Sequence, residues 1–150
     1  MERFEFDGWL IEFDSERTRA AYRLTEHGAH DCTCACCRNY VAARDSQYPP
    51  RFLYLLNKFG IAVHKEAELW ETSTPQKGIH FYSGRYHFVG SILKDPGTEI
   101  KIPKSERDAA HWYVSFRVRS HLAMQSLQDL PLIQLEFHAE VPWTLDEPPR

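Results

Sequence analysis

All four cysteines of this chain fall within six positions, as Cys32, Cys34, Cys36 and Cys37 of "CTCACC". Bridges between such near neighbours close loops of only a few residues, so they cannot staple distant parts of a secreted fold together. The fold must therefore rest on a hydrophobic core alone. With 150 residues, 43% of them hydrophobic and 13% aromatic, the chain has the material for one compact domain spanning residues 1–150. The opening "MERFEFDGWLIEFDSERTR" alternates acids with aromatics and has neither a basic leader nor an unbroken apolar stretch, so we expect no signal peptide. No apolar run is long enough to span a bilayer, and a cytoplasmic location follows, where thiols stay reduced and open to a metal.

Apolar periodicity supplies the elements. Phe4 and Phe6, then Trp9, Ile11 and Phe13, recur at alternate positions and predict a hairpin turning at Asp7-Gly8. "AAYRLTE" is a weaker third strand. Helix propensity covers about 35–46. A clearer helix covers 49–59, where proline opens the first turn, Phe52, Leu55, Leu56 and Phe59 form a stripe, and Gly60 ends it. "AELWET", "IHFYSGRYHFVGSIL", "HWYVSFRVR" and "LIQLEFHAEVPW" supply the remaining strands, with a long polar loop over 94–110. Strands, then helices, then strands without regular alternation predict an α+β fold: a mostly antiparallel sheet with the two short helices packed on one face. Trp9, Trp70, Trp112 and Trp143 are assigned to the core.

The cysteine cluster carries the chemistry. Zinc takes about four tetrahedral ligands from thiolate sulfur and imidazole nitrogen, usually offered as closely spaced pairs. Cys34 and Cys37 form such a pair, with Cys32 two residues ahead. If the helix begins at residue 35 or 36, its first turn favours thiolate over thiol at both positions. Cys36 then projects away from Cys34 and Cys37 and is set aside. For the fourth ligand His30 is the first choice, His27 the second, and a distant His80 or His87 the third. Competing readings are cysteines buried for packing alone, or a redox pair at a helix start.

The segments "CTCACCRNY", "YPPRFLYLLNKFGI", "KEAELWE", "RYHFVGSIL" and "EFHAEVPWTLDEPP" together resemble an uncharacterised family of small bacterial proteins with a C-x-C-x-x-C-R-N-aromatic signature, over most of residues 30–148. The resemblance implies a single bacterial domain in which Cys32, Cys34 and Cys37 are the matching thiols. It implies nothing about mechanism.

A second feature is a polar face. With a two-residue turn at Ser83-Gly84, His80, Tyr82, Arg85 and His87 share one side of a hairpin, and His80, Arg85 and His87 become candidate ligand-binding residues. A slip of one residue would invert these assignments. "HWYVSFRVR" sends His111, Tyr113, Ser115, Arg117 and Arg119 outward, and "LIQLEFHAE" adds Gln134, Glu136, His138 and Glu140. Such a face can bind an anion or supply acid and base groups, although a solvated sheet face has the same composition. No catalytic residue is assigned, because no G-x-S-x-G, glycine-rich phosphate loop or H-E-x-x-H is present.

Net charge is −3 and the basic residues are mixed with acids, as where Lys101, Lys104 and Arg107 meet Glu99, Glu106 and Asp108. Nucleic acid and membrane are therefore not expected as partners. The reading is a small cytoplasmic domain with a structural Zn2+, acting by binding a protein partner. Alternatives are a metal-dependent hydrolase, in which His80 and His87, with or without His111, join the bound ion while Glu136 or Tyr82 assists proton transfer, and a thiol redox or metal-sensing protein.

Overall fold

A computed structural model describes residues 1–76, 78–103, 111–119 and 125–149. Strands β1 (Glu2–Phe6) and β2 (Trp9–Phe13) pair around Asp7 and Gly8, both with positive φ, as the alternation predicted. Helix α1 (Ser15–Arg23) follows at once, where a strand was expected at "AAYRLTE". Asp14 decides the difference: its carboxylate accepts the Arg17 N–H at 3.0 Å and opens a helix, and Ser15, Thr18, Ala21 and Tyr22 then recur on the buried side at helical spacing. Helices α2 (Ala35–Gln47) and α3 (Pro50–Phe59) lie within a residue of their predicted bounds. α3 ends at Gly60, which takes a left-handed conformation.

The remaining strands are β3 (Glu68–Gln76), β4 (Ile79–Lys94), β5 (Ile100–Pro103), β6 (His111–Val118) and β7 (Leu132–Pro142). All pairings are antiparallel, in the order β1-β2-β4-β7-β6-β5, with β3 on β4 beside β2. The fold is α+β. β5 occupies part of the loop expected over 94–110; Lys104, Glu106, Arg107 and Asp108 lie outside the described residues.

β4 is the main correction. It runs unbroken for 16 residues, and Ser83-Gly84 is no turn. Gly84 instead lies opposite Phe137, where a Cβ would sit 2.3 Å from the Phe137 ring, so the missing side chain makes room for an aromatic and not for a reversal. β4 pairs with β7 from Ile79 through Val89 without a bulge, so side chains alternate strictly between the two faces.

One face of the sheet carries the core. Phe52, Leu55, Leu56 and Phe59 of α3 are buried against it. Phe52 sits 4.7 Å from Trp112 and 5.5 Å from Phe137, ring to ring, and Phe59 stacks on Phe88 at 4.2 Å. Phe59 also meets Phe4 from β1 and Phe116 from β6, so strands distant in sheet order close around one helix. On the other edge of β4, β3 pairs only as far as Arg85 and β2 begins at Gly90. α1 fills that interval: Tyr22 Oη donates to the His87 carbonyl at 2.8 Å and accepts its N–H, while Thr18 Oγ1 accepts the Val89 N–H at 3.0 Å. The Asp14 N–H donates to the Val89 carbonyl at 2.9 Å.

Candidate metal centre

α2 begins at the cysteines. Cys34 is its N-cap, with φ −66° and ψ 155°, and its sulfur accepts the Cys37 N–H at 3.4 Å, the role a serine or aspartate usually fills. This places Cys37 on the first turn, buried. A 3-10 turn over Ala29–Asp31 then brings Cys32 round, so that its Sγ lies 3.3 Å from that of Cys34. The three sulfur atoms all lie within 4.8 Å of one another. For zinc at about 2.3 Å from each sulfur, a tetrahedron needs sulfurs about 3.8 Å apart. Cys32, Cys34 and Cys37 are therefore placed to hold a metal ion.

The surroundings fix each part. Glu66, buried, accepts the Ala29 N–H at 2.8 Å and the Arg44 guanidinium at 2.7 Å, tying the 3-10 turn to α2. Arg38 donates from Nε to the Thr33 carbonyl at 2.9 Å and clasps the Glu147 carboxylate with its other nitrogens. Asn39 donates to the Pro142 carbonyl at 3.1 Å and accepts the Thr144 N–H at 2.7 Å. The two residues after Cys37 thus lock the segment that follows β7 onto the helix start.

The thiols differ in their acidity. The Cys34 backbone N–H, with help from the Cys37 and Cys34 thiols, holds the Cys32 pKa below the usual thiol value. Burial raises that of Cys37, and the neighbouring thiols push it further up. A divalent ion bound here would reverse this for the buried sulfur, because its charge would favour the thiolate.

Cys36 points elsewhere, as its place on the helix requires. Its thiol donates to Glu71 Oε2 at 2.7 Å, and burial followed by that carboxylate pushes its pKa up to about 12. The other Glu71 oxygen lies 2.8 Å from His80 Nδ1, and the His80 ring is buried 4.8 Å from Trp143. Tyr82 Oη donates to the Cys36 carbonyl at 2.7 Å. His80 and Tyr82 therefore support the start of α2 from the helix side of the sheet.

This divides the histidines expected to act together. His80 and His87 lie seven positions apart on one unbroken strand and project to opposite faces, so they cannot share an ion. Arg85 and His87 do share the outer face, where the registers align Arg85 with Glu136 and Ser115, and His87 with Gln134 and Arg117. Arg85 is ion-paired with Glu68 and Glu136 and lies 4.3 Å over the Trp70 ring. Arg117 also approaches Glu136, at 3.8 Å, and His138 shares a hydrogen bond with the buried Ser83. His87 is fully buried, and neither ring nitrogen has a hydrogen-bond partner among the described residues. The side chain of His111 lies outside the described residues. Of the residues expected on one polar face, Arg85 and His87 lie outward and His80 and Tyr82 lie on the helix side, while Arg85, Arg117 and His138 converge on Glu136.

Of the candidate fourth ligands, His30 lies with Nε2 3.4 Å from Asp31 Oδ1, and His27 with Nδ1 2.8 Å from the other oxygen of the same carboxylate. Neither is among the atoms that converge with the three sulfurs. Arg38, Asn39, Glu66 and Glu71 escaped the sequence reading. Only the pair "RN" directly behind Cys37 offered a signal, since the other partners come from distant segments. No family model, curated protein or solved structure matches the chain, so the family resemblance rests on the quoted segments alone.

Proposed function

We propose that this chain is a small zinc-binding domain in which the ion, held by Cys32, Cys34 and Cys37, joins the segment before α2 to the helix start, and that it acts by binding a protein partner. The convergence of three sulfur atoms within 4.8 Å carries the reading. That spacing suits a single ion better than an iron–sulfur cluster, which spreads its thiolates over separate irons. Thiolate ligands favour soft or borderline ions, and zinc has no competing geometric demand. A reducing compartment such as the cytoplasm fits four free thiols. Among the described residues, no helix is long and apolar enough to cross a membrane. Exposed Leu53 and Tyr54 on α3 offer apolar surface for a partner.

Elemental analysis of untagged protein tests the reading. One zinc per chain is expected in wild type and in Cys36→Ser, with loss of at least ten-fold in affinity for Cys34→Ser and Cys37→Ser. Protein purified without stoichiometric metal, or a Cys34→Ser variant that binds as tightly as wild type, refutes it. A second reading rests on the 3.3 Å between the Cys32 and Cys34 sulfurs: in the metal-free state this pair is a thiol sensor. Rapid alkylation of Cys32 in chelated protein, suppressed by zinc, supports it; slow labelling of every thiol rejects it.

A further inference from the structure

Among the described residues, the donors of the adjoining segments have partners of their own. His30 and His27 share Asp31, the Cys36 thiol donates a hydrogen bond to Glu71, and Glu147 is held by Arg38. Among the described residues, the convergent ligand set stops at three. Cys37 is buried while Cys32 and Cys34 are exposed, so an ion between them rests on the protein through the first sulfur and faces solvent past the other two. A structural zinc site is closed by four protein ligands, and a site with three keeps one position for an exchangeable group.

We infer that this fourth position takes a thiol from outside the chain, so that the zinc-loaded domain is a binder of low-molecular-weight thiols; the inference rests on the zinc reading above. The softness of the ion selects sulfur, and the surroundings favour the negative charge a thiolate brings. An ion already bound by thiolates is matched by another soft donor better than by a carboxylate. The added negative charge falls at the N-terminus of a 13-residue helix, where backbone N–H groups and the helix dipole favour anions. Arg38 stands beside the cluster, held by the Thr33 carbonyl within the ligand loop itself. In the exchange, the incoming R–SH loses its proton to solvent, its sulfur forms a bond to zinc, and a bound water leaves; nothing is oxidised or reduced.

Cobalt(II) substitution of the full chain reads this directly, because the visible d–d bands report the ligand set without any activity. The expected result is a tetrahedral spectrum that changes and saturates on titration with 2-mercaptoethanol or glutathione, with the same starting bands and titration in His30→Ala and Cys36→Ser. A spectrum unmoved by excess thiol overturns the inference, showing that the fourth position is closed or holds water too firmly to exchange. A change in the starting bands of His30→Ala, or of Cys36→Ser, overturns it by assigning that side chain as the ligand. Failure to bind cobalt at all removes the zinc reading itself, and so separates the two.

Discussion

Single residues already set measurable properties. His87 is buried without a hydrogen-bond partner among the described residues, and burial pushes its pKa from 6.5 down to about 4. The folded chain thus keeps the ring neutral while the unfolded chain protonates it below pH 6.5. Stability from this site is full above that pH, falls as the pH drops from 6.5 to about 4, and levels off below, for a total of about 3 kcal/mol. Denaturant melts across this range will show the slope in wild type and a shallower one in His87→Leu; equal slopes would contradict it. Gly84→Ala places a methyl 2.3 Å from the Phe137 ring in a packed core, which costs about 1–3 kcal/mol. Phe137→Leu in the same chain should recover part of that loss, a coupling that a double-mutant cycle measures. The same glycine explains why β4 was unreadable from sequence: "SG" between alternating aromatics has the form of a turn, and only the facing ring, 53 positions away, shows that it is a gap. The cysteine spacing was legible because its meaning is local. Arg38 and Asn39 were not, because their partners, Glu147 and Thr144, are brought in by the sheet.

At the scale of elements, periodicity succeeded where one face is apolar along its length, as in α3, β6 and β7, and failed where a cap outweighs a short pattern. α1 is the failure: Asp14 starts a helix in nine residues whose apolar content could also pass for a strand. The candidate metal site lies where the 3-10 turn, α2 and the segment after β7 meet, linked through Cys32, Arg38 and Asn39. Chelation is expected to loosen all three together. Hydrogen exchange should show faster labelling of residues 32–39 and of the Thr144 amide, which donates to Asn39, with β6 and the centre of β7 unchanged. Faster labelling of 32–39 alone would show that the segment after β7 holds independently of the ion.

For the molecule as a whole, one continuous core runs from α3 and the sheet to Ala29 and Tyr40 beside the cluster, which itself has two of its three thiols at the surface. This sets the domain apart from zinc fingers, which unfold without metal. Saturation at about a hundred times Kd adds about 2.7 kcal/mol, and removal should lower Tm by about 5–10 °C while the chain stays folded. Melts with and without chelator check this, and loss of the cooperative transition on chelation would show that the ion carries the fold.

The short interval on β4 between the ends of β3 and β2 has a further consequence. Its backbone groups at His87 and Val89 are satisfied by the Asp14 backbone and by the side chains of Thr18 and Tyr22. Were the first helix to detach, a few residues of β4 edge would stand open between the ends of β3 and β2, and a short extended segment of another chain would be its natural tenant. The hydroxyls of Thr18 and Tyr22 act as its cork.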